Sequence, residues 1–507
     1  MNTYLPRFPA PVALLALALL VSACGRNNPD ELITSAEGYL AQKDAPAAII
    51  QLKNALQANP DSARARFLLG QALLATGDAV GAETEFKKAQ ELGLPPDEVL
   101  PRLAQALLQQ GQYRKLTTEY AGSQLTQAQA QAGLKTALAI AWKRQGQEDK
   151  FKATLEEALK AQADYAPALM ELARTQAVQG DPEGALALLD KVPATSPVAD
   201  EALKLRGDVL LFGKNDPNAA LALYQEALKV NPRYVEGQAA TVQLLLGQGK
   251  NDAAATALQA LEKSAPGHPK TLYLQAKLAY AKNDLKATQK YTQEVLRWTP
   301  DSALALELAG LTELRLNAYV QAEAFLGKAL QLAPNLTMAR RGLVLTYARQ
   351  GRFDKAMATL APGLEKNDRD PVMLTLAGQI YLLQGDTERA QSYFKKASGL
   401  DPRDPVKRTS LAVSRLMSGQ TEAALDELHD IATSDDGVVA DMALVNALLQ
   451  KRDVTRALEA IAALEKKRPA DIRAPFLRGR ALLLKDDAAG ARKAMERVLE
   501  IDPNYFP

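Results

Sequence analysis

The sequence predicts an all-α fold, a right-handed solenoid of about fourteen helical hairpins. Three observations predict it. Turn signals recur at Asp44, Gly77, Gly111, Gly146, Gly180, Lys214, Gly249, Asn283, Asn317, Gly351, Gly385, Gly419, Asp453 and Asp486, about one every 34 residues. Between them the apolar residues step by three and four, the period of a helix with one buried face. Helix-stopping prolines keep the same beat, as at Pro232, Pro266, Pro300 and Pro334. A fixed period of this length marks stacked supersecondary units, none of which can bury its own apolar face alone. No low-complexity linker interrupts the beat, so residues 29–503 read as one continuous array.

The chain begins with an address. Arg7 precedes the apolar run Val12–Val21, which is too short to span a bilayer comfortably. Residues 1–23 read as an export signal, and Leu20-Val21-Ser22-Ala23-Cys24 resembles a bacterial lipobox. That resemblance implies cleavage before Cys24, which becomes the first mature residue and carries acyl chains. Each buried methylene of such chains contributes about 0.8 kcal/mol to membrane attachment. Gly25 and not an Asp follows the Cys, which implies sorting to the outer membrane. Residues 24–28 are a short tether, and Asn28-Pro29-Asp30 starts the first helix.

Within the array, the unit after Pro60 shows the pattern best. Phe67, Leu68, Leu69, Leu73 and Leu74 line one helix before Gly77-Asp78; Ala82, Phe86, Ala89 and Leu92 line the next. The turn needs a Gly for its backbone and an Asp to cap the second helix. Small residues recur in the first helix at Gly70, Gly207, Ala276, Gly310, Gly378, Ala412 and Gly479. They recur in the second at Ala82, Ala219, Ala254, Ala322, Ala356, Ala390, Ala424 and Ala491. A helical Gly costs about 1 kcal/mol relative to Ala, so its repeated use predicts close helix crossings. Leu116 and Thr288 depart from the small pattern, and 101–161 lacks a closing Pro. Arg473–Ile501 reads as the last hairpin, before the 504–507 tail.

This pattern resembles the tetratricopeptide repeat (TPR), most clearly in Asp61–Leu94, Asp301–Pro334 and Val372–Pro402. A narrower resemblance lies at the N-terminal end. Tyr39–Pro60, Glu91–Ala104 and Gln109–Tyr113, behind a lipobox and short tether, are similar to the TPR lipoproteins of PEP-CTERM systems. Those proteins are associated with exosortases and exopolysaccharide gene sets. The resemblance implies a lipid-anchored periplasmic scaffold that binds proteins of such an export system. The alternatives are a factor for outer-membrane protein assembly and a polysaccharide-binding TPR lipoprotein.

Chemistry is scarce. Lys plus Arg number 61 and Asp plus Glu 59, a net charge of +2, which speaks against a nucleic-acid partner. With two histidines, His268 and His429, and one Cys, no His/Cys metal cluster is possible. No P-loop, HExxH or GxSxG motif occurs. No enzymatic activity, metal or cofactor is expected. His268 reads as loop, His429 as a solvated helix face, and Trp142 and Trp298 as packing between helices. Function is left to surface. Outward residues of the first helices, on the expected concave face, are the candidate partner-binding set: Arg64, Phe67, Gln71, Lys204, Asp208, Tyr273 and Lys277.

Overall fold

The structure is a computed structural model that describes residues 28–366, 369–503 and 505, with only the backbone of Lys366. The export signal, Cys24, the tether up to Asn27 and most of the tail lie outside the described residues. The described residues are helical throughout and contain no strand.

Two compact units divide the chain, Met1–Leu244 and Leu245–Pro507. The first holds six antiparallel pairs. They are α1 (Pro29–Ala41) with α2 (Ala45–Ala58), α3 (Ala63–Ala75) with α4 (Ala79–Glu91), and α5 (Pro96–Gln109) with α6 (Tyr113–Tyr120). Then come α7 (Ala128–Arg144) with α8 (Glu148–Ala161), α9 (Ala166–Val178) with α10 (Pro182–Leu189), and α11 (Ala199–Asp208) with α12 (Pro217–Val230). Helix α13 (Val235–Gly247) runs past the division, and α14 (Asn251–Ser264) follows it. The second unit continues with α15 (Pro269–Ala281) and α16 (Leu285–Trp298), α17 (Ala303–Arg315) and α18 (Tyr319–Leu332), and α19 (Thr337–Arg349) and α20 (Phe353–Lys366). It ends with α21 (Pro371–Leu383) and α22 (Thr387–Leu400), α23 (Pro405–Met417) and α24 (Thr421–Ser434), α25 (Val439–Gln450) and α26 (Val454–Lys467), and α27 (Arg473–Leu484) and α28 (Ala488–Ile501).

The hairpin turns explain the beat. Gly77 has φ of 89°, a left-handed conformation that a side chain disfavours. Around it the Asp78 N–H donates to the Leu73 carbonyl and the Gly77 N–H to the Leu74 carbonyl, closing α3 in a Schellman arrangement. Asp78 then accepts the N–H of Gly81 at 2.9 Å and starts α4. Two helix ends are satisfied within three residues. Every intra-hairpin turn carries one left-handed residue: Gly, Asn or Asp at most, but Lys43 and Arg452 at two. There the sequence signals Asp44 and Asp453 are the capping residues, one position later.

One turn departs from the predicted register. Residues Val209–Gly213 form a π-helical turn, so the chain takes one extra residue before α12. The Asp216 N–H reaches back to Leu210, six residues, where the other hairpins span five. The left-handed residue is therefore Asn215, not Lys214, and the fully buried small residue of α12 is Ala220, not Ala219.

Cores form where a notch in the first helix receives a side chain from the second. A Cβ added to Gly70 would lie 2.6 Å from the Phe86 ring; at Gly207, 2.5 Å from Tyr224; at Gly310, 2.5 Å from Leu326; at Gly479, 2.5 Å from Met495. The spacing is sixteen residues except at Gly207, where the π turn makes it seventeen. Leu116 and Thr288, the departures from the small pattern, are both fully buried. Where the closing Pro is missing, α6 is only 8 residues long and α7 extends to 17.

A polar clasp reinforces the second hairpin. Glu83 of α4 accepts from Lys115 at 2.6 Å, Gln110 at 2.9 Å and Lys87 at 2.9 Å. Burial alone would raise its pKa, but these donors outweigh it and bring the carboxyl from 4.5 down to about 2. A depressed carboxylate stabilises the fold above its unfolded pKa, and that contribution disappears as pH falls through the folded value. We expect Glu83→Gln to cost about 1–3 kcal/mol at pH 7. The gap from the parent, read from urea midpoints, should close between pH 4.5 and about 2. A gap that stays constant over that range would exclude the charge as its cause.

Candidate interaction surface

Within each unit, the first helices of successive hairpins (odd-numbered helices) present equivalent positions in rows. In the first unit the row is charged and closed on itself. Arg64 of α3 is exposed and sits between Glu37 of α1 at 2.8 Å and Glu98 of α5 at 3.5 Å. Phe67 is not outward as its position in the pattern suggested. It is 5% exposed, because its ring turns inward onto Phe86, 5.7 Å away. Arg64 covers its remaining edge, 5.9 Å from the centroid. Gln71 is half-buried one helical step further.

Lys204 and Asp208 of α11 pair with each other at 2.7 Å. Asp208 also accepts the Tyr224 hydroxyl at 2.8 Å. Burial, and then the Asp208 charge, push that hydroxyl far above its ordinary range. Tyr273 and Lys277 of α15 are half-buried, with the ammonium 6.0 Å from the ring centroid. Burial pushes Tyr273 up to about 12 and moves Lys277 down, the latter opposed by Glu307. Glu307 of α17, which the sequence reading did not single out, accepts the Ala339 N–H of α19 at 3.2 Å. Burial raises its pKa.

Other sequence expectations resolve in the same way. His268 caps α15, its Nδ1 accepting the Lys270 N–H at 3.1 Å. His429 is on an exposed helix face. Trp142 is half-buried with Lys150 over its ring at 4.4 Å. Trp298 does not pack between helices: it is the last residue of α16 and is 71% exposed. Several tyrosine rings are covered by guanidinium groups, Tyr280 by Arg315, Tyr347 by Arg352 and Tyr381 by Arg389. Among the described residues, no group of three or more His, Cys, Asp or Glu could hold a metal ion.

In the second unit the equivalent row is apolar. Leu304, Met338, Val372, Val406 and Val439 occupy the same register on α17, α19, α21, α23 and α25, and are 51, 50, 39, 49 and 50% exposed. Seven and eleven residues on, the same helix faces carry Leu311, Leu345 and Val413, then Leu383 and Met417. Between α19 and α21 the surface dips into an open groove of about 480 Å³. Val344, Leu345, Leu376, Ile380 and Leu383 line it, with Arg349 its one charged wall residue. Sequence reasoning passed over this row, although its spacing of 34, 34, 34 and 33 is visible in the chain.

Profiles of the tetratricopeptide repeat match residues 144–209, 211–278 and 313–380, 34–97 and 442–506, and 372–404. These matches cover well over half of the chain. The chain is a tetratricopeptide-repeat protein. No curated protein matches it. Among solved structures, this TPR protein is similar to the APC/C hetero-tetramer Cut9–Hcn1, at 15% identity over 98% of this chain and 97% of that one, TM-score 0.47. It is similar to human IFIT1, seen as a dimer with PPP-AAAA, at 17% identity over 82% and 96%, TM-score 0.46. A TPR protein from Parabacteroides merdae matches at 20% identity over 48% and 97%, TM-score 0.40. TPR arrays are typically protein–protein interaction scaffolds.

Proposed function

We propose that this protein is a lipid-anchored scaffold on the periplasmic face of a bacterial envelope, most simply at the outer membrane. It gathers proteins of an exopolysaccharide or PEP-CTERM export system. One observation carries the reading. The single Cys of 507 residues, Cys24, closes a lipobox-like run directly behind an apolar stretch of signal-peptide length, and the repeats begin five residues later. The similarity of Tyr39–Pro60 and Glu91–Ala104 to PEP-CTERM-associated TPR lipoproteins supplies the pathway. No described helix is long and apolar enough to cross a membrane. The reading assigns attachment to acyl chains on Cys24. On direct polysaccharide binding the observations divide: arginines cover the faces of Tyr280, Tyr347 and Tyr381, while Trp298 is exposed.

Cys24→Ser is expected to release the protein into the soluble periplasmic fraction or to leave it uncleaved, while the parent sediments with membranes. A processed variant that still sediments like the parent would remove the lipid anchor. Cross-linking of the parent in intact envelopes should recover proteins of an export or exopolysaccharide system. Recovery of none would remove the pathway.

A further inference from the structure

We propose that the trough between α24 and α26 binds a linear diamine or polyamine, with an ammonium group at each end and an alkyl chain between. The trough lies on the second-helix side of the hairpins, apart from the rows described above, and the proposal does not depend on the scaffold reading.

The cavity exists because three side chains are small. Between α20 and α22 the corresponding groove holds about 380 Å³, and Leu364, Tyr393 and Lys396 are among the residues that line it. Counted from the hairpin turns at Gly351, Gly385, Gly419 and Arg452, the equivalent residues are Ala432 of α24 and Ala460 and Ala463 of α26. There the volume rises to about 820 Å³, within the range that accommodates small molecules. Both ends are tied across. Arg456 of α26 donates to Glu422 of α24 at 3.3 Å. At the other end Lys467 donates to the Ala432 carbonyl and Arg468 to the Asp436 carbonyl, each at 2.8 Å. The interval from Arg456 to Lys467 is about 17 Å of helix, which suits a ligand of limited length.

The lining selects the ligand. Leu425, Leu444 and Leu448 form a buried apolar floor. Asp426 and Glu459 stand at the same register on the two walls, and Asp435 and Asp436 stand at the far end, about 13 Å along α24. None of these four carboxylates has a hydrogen bond or ion pair among the described residues. Of the wall cations, Arg456 is engaged with Glu422 and Asp453, and Lys467 with Asp441. Lys466 remains, at the register of Thr433, and His429 stands between the two acidic ends. The four carboxylates outnumber Lys466, so the trough attracts cations, and it does so at two separated places. A bare metal ion matches neither that separation nor the leucine floor. An alkyl chain ending in two ammonium groups matches both: its methylenes cover Leu444 and Leu448 while each ammonium donates to carboxylates. Extended spermidine and 1,8-diaminooctane both span the interval.

The test titrates 1,8-diaminooctane and spermidine into the purified full chain by calorimetry, and follows selectively labelled histidine by NMR. The chain has two histidines, so the His429 ring reports on the trough and the His268 ring, at the start of α15, is the control. We expect saturable binding that shifts the His429 signal and leaves His268 in place. Asp426→Asn with Asp435→Asn should weaken binding roughly tenfold or more, as should octylamine in place of the diamine. Ala460→Tyr, which supplies the side chain that α22 carries at this position, should fill the trough and weaken binding to the same degree. If that variant melts early, Ala463→Lys at an exposed position carries the comparison. An unmoved His429, equal affinity for octylamine, unchanged binding by the filled variants, or displacement of the diamine by an equal concentration of Mg²⁺ would each overturn the proposal. The last outcome would reduce the trough to a patch of negative charge. Loss of the lipid anchor or of the export pathway would leave all of these readouts unchanged.

Discussion

Phe394→Ala will destabilise the hairpin of α21 and α22 by about 3–5 kcal/mol, and adding Gly378→Leu will restore part of the loss. Phe394 is fully buried, and its ring fills the notch left by Gly378. A Cβ at Gly378 would lie 2.7, 2.8 and 2.9 Å from three carbons of that ring and meets nothing closer. Gly378→Leu alone therefore forces the ring aside and costs about 1–3 kcal/mol. With the ring gone, the leucine occupies vacated volume, so the two changes couple favourably by about 1–3 kcal/mol. Gly310 supplies the contrast. A Cβ there also meets the Leu326 backbone nitrogen at 3.1 Å, which no side-chain truncation removes. Gly310→Leu with Leu326→Ala should recover less. Hydrogen exchange of the α21 and α22 amides reads the effect, since stability in a repeat array is a sum of local and nearest-neighbour terms. Losses that simply add at Gly378 and Phe394 would mean that the notch is not where they interact.

The hairpin register was legible because its signals are backbone requirements. A left-handed turn residue and an Asp cap can be read without knowing any neighbour, and at Gly77-Asp78 they gave both helix ends correctly. The π turn at Val209–Gly213 was hidden because one extra residue in a period of about 34 resembles ordinary variation. Its trace is the shift from Ala219 to Ala220, which appears only once Tyr224 is seen in the Gly207 notch. Surface was harder to read. Phe67 sits in register with outward residues but has a partner ring within reach, so it folds inward. Val372 and Val406 read as core by residue type, yet no neighbouring hairpin covers that side of their helices. Hydrophobic periodicity shows that a face is apolar; only the packed neighbours decide whether it is covered. That is why the candidate set fell on polar and aromatic positions while the apolar row, equally periodic, was passed over.

Lys467→Met should cost about 3–5 kcal/mol, and the double variant Asp441→Leu with Lys467→Met should be much closer to the parent. Asp441 stands in the first turn of α25 and is 4% exposed. Its carboxylate accepts from the Lys467 ammonium at 2.8 Å, and the same ammonium donates to the Ala432 carbonyl near the end of α24 at 2.8 Å. One cation thus joins three helices. Its departure leaves a desolvated carboxylate without a counter-charge and a helix-end carbonyl without a donor. The attraction within a buried pair roughly offsets the cost of taking both charges from water, so deleting one partner is far worse than deleting both. The acid retains some favourable interaction with the positive end of α25, but that effect is about 0.3–1 kcal/mol, too small to replace the lysine. Urea midpoints of the two single variants and the double variant separate the causes. If the double variant is as unstable as Lys467→Met, the lysine stem is needed for packing and the Ala432 contact, and the charge pair is incidental. If it recovers, the junction of α24, α25 and α26 is governed by a buried charge that must not be left alone.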